Sequence, residues 1–411
     1  MFTNPAQLLV IPLLGLVALS VLVAALLLLR QSFRPSRVVV PAGSDRSSRD
    51  VARDFAPVAN DAARRRDRRV RPWALMAALL LLAWVFLGRY LLVALAAAGN
   101  ARPADALVEA RVPGSHRTSL AVAERGAAGA PTLVFTHGWG ADRRDWTDLL
   151  AALPPDLHVV TWDLPGLGAS TEGDAVSTSM SAMADQLEDV VQATARGGPV
   201  ILVGHSIGGM LNLEYAREHS ERLGKSVVGL VEVNTTFTNP LLTKSHAERS
   251  RRLQPVYEPM LHVVEATAPV CRALGWLAWS SGLAHLELAM QSFAGNETWA
   301  QLDDMARYAW RSDPGVVARG VVAMMHWDAS DVLPRVNVPT LVLAGAQDRT
   351  TLPAASQRIA HDIPAAQLST IAPAAHLGPV ESAPAYAARI IEFTRQVTGA
   401  AQVASANPSS R

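Results

Sequence analysis

A serine, a histidine and an aspartate each follow a short apolar run, and together they have the residue types of a nucleophile, a base and an acid. Ser206 lies in the stretch ILVGHSIGGM, where apolar residues give way to a glycine-rich turn. A serine hydroxyl is a weak nucleophile unless a base removes its proton and an acid orients that base. His376, after LSTI, and Asp348, after TLVLAG, supply those types. The sequence therefore predicts a triad of these three residues.

The turn around the serine matches the pattern G-x-S-x-G. Its glycines are Gly204 and Gly208, and the pattern follows a predicted buried strand and precedes a predicted helix. A serine on such a sharp turn projects its hydroxyl from the sheet, and larger side chains at the glycine positions would collide across the turn. The predicted strand before the turn and the predicted helix after it make this match more specific than the five-residue pattern alone.

The elements that must position these residues are short apolar runs alternating with helical stretches. Short apolar strands alternating with helices predict an α/β fold with a mostly parallel sheet covered on both faces. Functional residues of such sheets gather at the carboxyl ends of the strands. The runs are SLAVAE, PTLVFTHG, LHVVTWD, VILVGHS, VVGLVEVN, PTLVLAG and QLSTIA.

One long stretch interrupts the alternation and reads as helical throughout. The sequence therefore predicts an α/β core in two parts, 103–236 and 335–398, separated by a helical cap, 237–334, and followed by a disordered tail, 399–411. The cap is rich in residues that either line an apolar pocket or, more simply, hold the cap together. They are Trp276, Trp279, Trp299, Trp310, Trp327, Met290, Met305, Met324 and Met325.

From about Thr118 to Thr394 the chain resembles the α/β-hydrolase superfamily. The motifs that carry the resemblance are FTHGWG, WDLPGLGAS, GHSIGG, LAGAQDRTT and APAAHLGPVESAP. It implies an α/β-hydrolase fold with a helical cap insertion and the chain order Ser, Asp, His. Ser206 then resembles the nucleophile, His376 the general base, and Asp348 the acid that orients the imidazole.

The resemblance also implies an oxyanion hole, the pair of N–H groups that holds the negative oxygen of a tetrahedral intermediate. Its donors would be the backbone N–H groups of Trp139 and Ile207, with Gly138 in the same loop as Trp139. The loop reads HGWG rather than the HGGG of some esterases.

Each residue of the triad has a plainer alternative. Ser206 is otherwise an ordinary turn serine, His376 a core or surface histidine, and Asp348 a turn aspartate, since Asp is common in turns. Glu232, within VVGLVEVN, is a weaker rival for the acid. The other acid position of this fold, after VVGLVEV, holds Asn234, which favours Asp348.

A serine at the turn, where dehalogenase and epoxide-hydrolase relatives carry aspartate, favours acyl transfer to water. We therefore expect a serine esterase or lipase acting on a small-molecule or lipid ester. The alternatives are a serine peptidase, with Glu258, Glu265 or Glu287 binding the substrate's amino group, a C–C bond hydrolase, or a non-catalytic scaffold. No cofactor is expected, because the turn DLPGLG is not G-x-G-x-x-G and no metal-ligand spacing is found.

The first hundred residues lie outside the resemblance and predict membrane attachment. Leu8 to Leu29 is apolar and uncharged, which favours a transmembrane helix over 1–30 rather than a signal peptide. A second run, 73–98, predicts a second span, with a surface or buried helix as the alternative because it contains Arg89.

Between the two runs, residues 31–72 form an arginine-rich loop. Since short positive loops stay in the cytoplasm, the hydrolase domain is expected outside it. Such a loop suits anionic lipid heads better than nucleic acid, because no nucleic-acid-binding fold accompanies it. The net charge of +1 over 411 residues gives no sign of a nucleic-acid partner either, and one cysteine, Cys271, excludes an intrachain disulfide.

Overall fold

Eight strands form one sheet with helices packed on both faces. The computed structural model describes residues 5–32, 72–90, 107–126, 131–244 and 247–406. The sheet order is β1-β2-β4-β3-β5-β6-β7-β8. Strand β2 runs antiparallel to both β1 and β4, and all the other neighbouring pairs are parallel. The strands are β1 Val108–Gly114, β2 Thr118–Arg125, β3 Thr132–Thr136, β4 His158–Trp162, β5 Val200–His205, β6 Val227–Val233, β7 Thr340–Gly345 and β8 Ala366–Ile371.

The helices divide into an N-terminal pair, those packed on the sheet, and those inserted between β6 and β7. The N-terminal pair is α1 Pro5–Ser32 and α2 Pro72–Leu87. The sheet helices are α3 Thr147–Ala151, α4 Met180–Thr194, α5 Ile207–Glu218, α12 Pro353–Asp362, α13 Gly378–Glu381 and α14 Ala383–Ala406. The inserted cap contains α6 Ala247–Ala266, α7 Ala268–Ser280, α8 Leu283–Ser292, α9 Trp299–Ala306, α10 Tyr308–Arg311 and α11 Pro314–Met325.

The central strands are buried along their whole length, as their apolar runs predict. Every residue of β3, β4, β5 and β7 is buried. A strand with helices on both faces has no polar side, so its sequence is apolar rather than alternating. The mostly parallel sheet predicted from the sequence is confirmed.

The strand order places a cleft beside β3. The chain leaves β3 for β4 on one side, and β5 pairs with β3 on the other. At such a switch point the loops after the two strands diverge and leave a crevice at their carboxyl ends. Trp139 follows β3 and Ser206 follows β5, so both lie at this crevice.

One described helix is long and apolar enough to cross a membrane, and its span is Val10–Arg30. The sequence predicts a second span over 73–98, but α2 has 16 residues and is shorter than the roughly 20 that a span needs. A turn at Gly88 interrupts it, and residues 91–98 lie outside the described residues. The second span is therefore not confirmed.

Two further predicted segments fall largely outside the described residues. Of the arginine-rich loop, residues 33–71 are not described. At the other end, the sequence predicts a disordered tail from residue 399, whereas α14 continues through Ala406. Alanine has the highest helix propensity, and AAQVASA extends the helix that precedes it.

Candidate active site

Ser206, His376 and Asp348 meet at the carboxyl edge of the sheet. The His376 Nε2 lies 3.1 Å from the Ser206 Oγ, and the His376 Nδ1 lies 2.9 Å from the Asp348 Oδ2. All three are buried, with 1%, 0% and 3% of their surface exposed. The imidazole therefore lies between a hydroxyl and a carboxylate, out of water. This arrangement suits proton transfer from the hydroxyl to the imidazole.

The turn that carries Ser206 is strained, and we refer to it as the elbow. Ser206 has φ 57° and ψ −117° between the end of β5 and the start of α5. A non-glycine residue at positive φ is uncommon, and such strain concentrates at functional sites. A Cβ on Gly204 would overlap the backbone of Gly208, and one on Gly208 would overlap the carbonyl of Thr136. Both glycines are therefore needed for α5 to start this close to β3.

The two residues predicted for the oxyanion hole come from neighbouring strand ends. Ile207 is the first residue of α5, and Trp139 lies in the turn after β3. Because β3 and β5 are paired in parallel, with Thr136 opposite Gly204, both turns emerge at the same edge. Ile207 and Trp139 are fully buried. Their role as donors stays a prediction.

His137, beside that loop, is already engaged through both ring nitrogens. Its Nε2 accepts a hydrogen bond from the Leu164 N–H at 3.0 Å, so the ring proton is on Nδ1, which faces the Gly138 carbonyl at 2.8 Å. The ring thus fixes the loop that contains Gly138 and is unsuited to serve as a base.

The side chain of Trp139 reaches into the cap. Its indole N–H donates to the Val317 carbonyl of α11 at 2.9 Å. A Cβ on Gly320 would overlap the indole ring, so α11 packs directly on Trp139 only because residue 320 is glycine. The position of the cap is therefore coupled to the loop predicted to hold the oxyanion.

Gly320→Ala is expected to lower both stability and turnover. The added methyl group must displace either α11 or the indole of Trp139, and overpacking of this kind destabilises by about 1–3 kcal/mol. A shift of the Trp139 backbone by about 1 Å would lower kcat by up to about 100-fold. Thermal melting and kcat on a soluble ester measure the two effects. Gly399→Ala is the control, because Gly399 lies in α14 with open space at its Cβ position. Unchanged melting and kcat in Gly320→Ala would contradict the coupling.

Three polar side chains, two of them buried and one half-buried, hold the backbone around His376. The Asn234 amide donates to the carbonyls of Ala375 and His376, each at 2.9 Å. The His205 Nε2 lies 2.9 Å from the same His376 carbonyl. The carboxylate of Glu381 accepts the Ala375 N–H at 2.7 Å. Together they fix the loop that positions the imidazole.

Glu232, the rival acid, is buried beneath the elbow and has no hydrogen-bond partner for either carboxylate oxygen. A Cβ on Gly209 would meet this carboxylate, which places it under the first turn of α5. Burial raises the pKa of Glu232 well above its ordinary value of 4.5. A carboxyl group with no contact to His376 is a poor candidate for the acid of the triad.

Glu232→Gln is expected to stabilise the protein increasingly as the pH rises. An acid whose pKa is raised in the folded state keeps a proton that the unfolded chain releases above pH 4.5, so the free energy of unfolding falls as the pH rises past that value. Glutamine has the same shape and no proton to lose. Melting temperatures at about pH 4 and about pH 8 test this, since the gap between variant and wild type should widen at the higher pH. Glu221→Gln, at an exposed carboxylate, is the control. A gap that does not change with pH would contradict this account of Glu232.

The cap carboxylates proposed to bind an amino group have other partners. Glu258 faces His326 at 3.1 Å, and Glu265 pairs with Arg319 at 2.7 Å. Both carboxylates thus have side-chain partners on the cap, which gives the peptidase alternative no support. Within the described segments, no three His, Cys, Asp or Glu side chains are grouped to hold a metal ion.

Sequence reasoning missed some of the residues that support the site. Thr351 donates its hydroxyl to the Asn234 carbonyl at 2.8 Å and lies at the same distance from the Asp348 Oδ2. Glu381 bridges the His376 loop and the Ala294 N–H of the cap. Thr351 lies in the motif AQDRTT, where two threonines after the predicted acid were the only available signal.

The fold and the site define an α/β hydrolase with a serine at its elbow. Residues 133–390 match the alpha/beta hydrolase family, and because this is more than half of the 411 residues, the chain belongs to that family. The resemblance seen in the sequence is confirmed.

Individual relatives are more distant. The pimeloyl-[acyl-carrier protein] methyl ester esterase of Vibrio atlanticus is 24% identical over 271 residues, 65% of this chain and 95% of that protein. A solved esterase from Thermogutta terrifontis has a TM-score of 0.57 and 24% identity, covering 71% of this chain and 99% of the other. A bacterial membrane phospholipase A has a TM-score of 0.56 and 20% identity, covering 85% of this chain and 99% of the other. The two solved structures share the fold with this chain.

Proposed function

We propose that this protein is a membrane-anchored serine hydrolase that cleaves carboxylic esters of acyl or lipid substrates. The observation that carries the proposal is the buried chain of contacts from the Ser206 Oγ through His376 to Asp348, 3.1 Å and 2.9 Å long, on a strained elbow. This geometry provides an activated nucleophile with its base and orienting acid. The esterase relatives support the same reaction class.

In the first half-reaction the Ser206 Oγ attacks the ester carbonyl carbon while the His376 Nε2 takes the hydroxyl proton. The negative charge on the former carbonyl oxygen is held by the N–H groups of Trp139 and Ile207. Asp348 stabilises the imidazolium and fixes the ring orientation. The C–O bond to the alcohol then breaks, and His376 gives its proton to the departing alcohol, which leaves an acyl group on Ser206.

In the second half-reaction water replaces the alcohol. His376 removes a proton from that water, the resulting hydroxide attacks the acyl carbon, and the bond to the Ser206 Oγ breaks as His376 returns the proton to it. The products are a carboxylic acid and the free enzyme. Losing one N–H donor of the oxyanion hole would lower kcat by about 100 to 1000-fold.

An apolar acyl or lipid substrate fits the surroundings of the site better than a small polar ester. Ser206 is covered, and the cap above it packs against α1, the candidate membrane helix. An enzyme held at a bilayer meets esters of fatty acids at high local concentration. The phospholipase relative, itself a membrane protein, supports this substrate class by analogy of fold.

The proposed membrane arrangement has two crossings with the hydrolase domain outside the cytoplasm. Ile11, near the start of α1, lies against the cap. Arg30, at the other end of the span, therefore lies on the side away from the hydrolase domain. A chain that crosses at α1 must therefore cross again to reach the core. Helix α2 packs along α1, and residues 72–90 span about 28 Å at 1.5 Å per residue. A reporter that works only outside the cytoplasm should be active when it is fused after Arg411. Activity of a reporter that works only in the cytoplasm, fused at the same position, would overturn this arrangement.

Hydrolysis of p-nitrophenyl esters of increasing acyl length by the full chain in detergent tests the chemistry. Ser206→Ala is the inactive control, and an aminoacyl amide and a vinylogous diketone substrate represent the peptidase and C–C hydrolase alternatives. We expect ester cleavage that depends on Ser206 and improves with acyl length. Cleavage of short esters alone would favour a small-molecule esterase. A folded protein that cleaves none of these esters would exclude the proposed reaction, and amide or C–C cleavage would then name its replacement.

A further inference from the structure

Helix α1 packs on the cap over the first part of its apolar span. A Cβ on Gly15 would overlap the backbone carbonyl of Leu274 in α7, so the two helices are in backbone contact. Ile11, one turn earlier, is 6% exposed and lines a small cavity with Cys271 and Pro314 of the cap. The cap and the candidate membrane helix are thus parts of one packed unit.

Helix α2 joins the same unit from the other side of α7. The Ser280 hydroxyl donates to the Val85 carbonyl at 2.9 Å. The rings of Phe86 and Trp276 lie 6.0 Å apart, so exposed apolar side chains of α2 and α7 touch. The guanidinium of Arg89 lies 4.0 Å from the centre of the Trp279 ring, which gives this charge an aromatic partner on the cap.

The lengths of these helices fix where a bilayer would meet the cap. Val10–Arg30 has 21 residues and spans about 31 Å, close to the thickness of a hydrocarbon core. Gly15 lies five residues, or about 8 Å, inside the end of that span. Since Gly15 touches α7, any lipid that surrounds α1 at this depth must also meet α7.

The exposed face of α7 has the chemistry that such a position requires. It consists of Pro269, Val270, Ala273 and Trp276, with one charged residue, Arg272. Arg272 pairs with Asp313 at 3.3 Å. Its neighbour Cys271 lies beside Ile11, near the start of α1, so Arg272 is placed where lipid headgroups would lie. Val270 is 60% exposed and Trp276 is 38% exposed, so two large apolar side chains of this face are open to the surroundings.

The apolar surface continues onto the next cap helix. Leu286 and Met290 of α8 are 49% and 56% exposed. Gly282, the residue before α8, lies against the backbone of Arg89, so α8 starts beside the end of the α2 segment. We call the exposed apolar side chains of α7 and α8 the cap face; they are Val270, Ala273, Trp276, Leu286 and Met290.

We propose that the cap face is seated in the leaflet of the bilayer nearest the hydrolase domain. The proposal rests on the membrane anchoring in the proposed function, and it goes further by making the cap itself a membrane-binding element. The occupant is lipid rather than a second copy of the chain, because the face is continuous with α1 and α2, whose exposed side chains are mostly apolar. Burying several such side chains in lipid is favourable because it removes apolar surface from water.

Site-directed spin labelling of the full chain tests this placement. Cys271→Ala removes the only cysteine, and single cysteines are then introduced as Val270→Cys and Leu286→Cys on the cap face. Leu16→Cys reports on α1, and Leu368→Cys, on the exposed side of β8, is the matched control at an apolar residue distant in the fold. Each protein is reconstituted into vesicles of phosphatidylcholine and phosphatidylglycerol in equal parts. Collision with oxygen reports lipid, and collision with a nickel chelate reports water.

We expect the labels at 270, 286 and 16 to collide preferentially with oxygen, and the label at 368 to collide preferentially with nickel. Nickel access at 270 and 286 with oxygen preference at 16 would overturn the seated cap and leave the anchor intact. Nickel access at 16 as well would show that the anchoring itself is wrong. Labels at 270 and 286 shielded from both reagents and broadened by a neighbouring label would assign the face to a second copy of the chain, which also overturns the proposal. Unchanged hydrolysis of a soluble ester verifies that each variant is folded.

Discussion

Ser206→Ala is expected to lower kcat for a p-nitrophenyl ester by about 10⁶-fold, the size of effect seen when a nucleophile of a comparable triad is removed. Without the Oγ, His376 has no proton to accept and no acyl intermediate can form. The N–H groups of Trp139 and Ile207 would still polarise a bound ester, so a small residual rate from attack by water is expected. Steady-state kinetics at saturating substrate measure the fall.

Ser177→Ala is a suitable control for that variant. Ser177 is as buried as Ser206, with 1% of its surface exposed, and its hydroxyl has no hydrogen-bond partner. The control makes the same chemical change within the core, away from His376, so it should retain nearly full activity. A fluorophosphonate probe should label the wild type and Ser177→Ala and leave Ser206→Ala unlabelled. If Ser206→Ala kept a tenth of the activity, the nucleophile would have to be elsewhere.

The parts of this protein that the sequence predicts well are those that depend on local apolar pattern. Seven of the eight strands coincide with the predicted runs. For β3, β4, β5 and β7 the reason is that a strand covered on both faces has to be apolar throughout. The missed strand is β1, Val108–Gly114, whose exposed residues include Val108 at 70%. Its first four residues are all exposed and it has no apolar run, so pattern alone does not find it.

The meeting of the triad residues follows from topology. Asp348 and His376 are 28 residues apart, and Ser206 precedes His376 by 170 residues, yet each follows a strand of one parallel sheet. Strand ends of such a sheet share an edge, so residue types at strand ends were enough to bring the three together. No local pattern predicts which polar side chains, such as Asn234 or Glu381, hold the His376 loop.

The contacts of the cap depend on long-range packing that a single sequence does not reveal. Gly320 reads as an ordinary helix glycine, and only the indole of Trp139 packed against it explains its absent side chain. Gly15 likewise reads as a glycine in an apolar run, and its reason is the backbone of Leu274. Both glycines permit close approach between segments far apart in the chain. They connect α1, the cap and the predicted oxyanion loop into one packed path.

The same path joins α1 to the predicted oxyanion loop. Ile11 of α1 packs near Pro314 and Val317 on α11, and the Val317 carbonyl accepts the hydrogen bond of the Trp139 indole. A displacement of α1 would therefore reach the predicted oxyanion loop through two contacts.

Asp348→Asn is expected to lower kcat by about 10⁴-fold with little change in fold. The Asp348 Oδ1 accepts the N–H groups of Thr350 at 2.8 Å and Thr351 at 2.9 Å, so the oxygen of an asparagine amide must take that place. The NH₂ group then faces the His376 Nδ1, which has to accept a hydrogen bond. The ring proton moves to Nε2 and points at the Ser206 Oγ, so the imidazole can no longer take the hydroxyl proton. Kinetics of Asp348→Asn measure the loss, and an unchanged melting temperature would show that the site is intact.

A second acid at the end of β6 is not expected to rescue that variant. In Asp348→Asn combined with Asn234→Asp, the new carboxylate would face the carbonyls of Ala375 and His376, which now accept from the Asn234 amide. The Asn234 Oδ1 is occupied as well, since it accepts the Gly345 N–H at 2.7 Å. The double variant should therefore be no more active than Asp348→Asn, and less stable because two donors are lost. Recovery of activity in the double variant would mean that the imidazole of His376 can turn toward β6. The residue type at position 348, rather than the fixed geometry of the His376 loop, would then decide which residue serves as the acid.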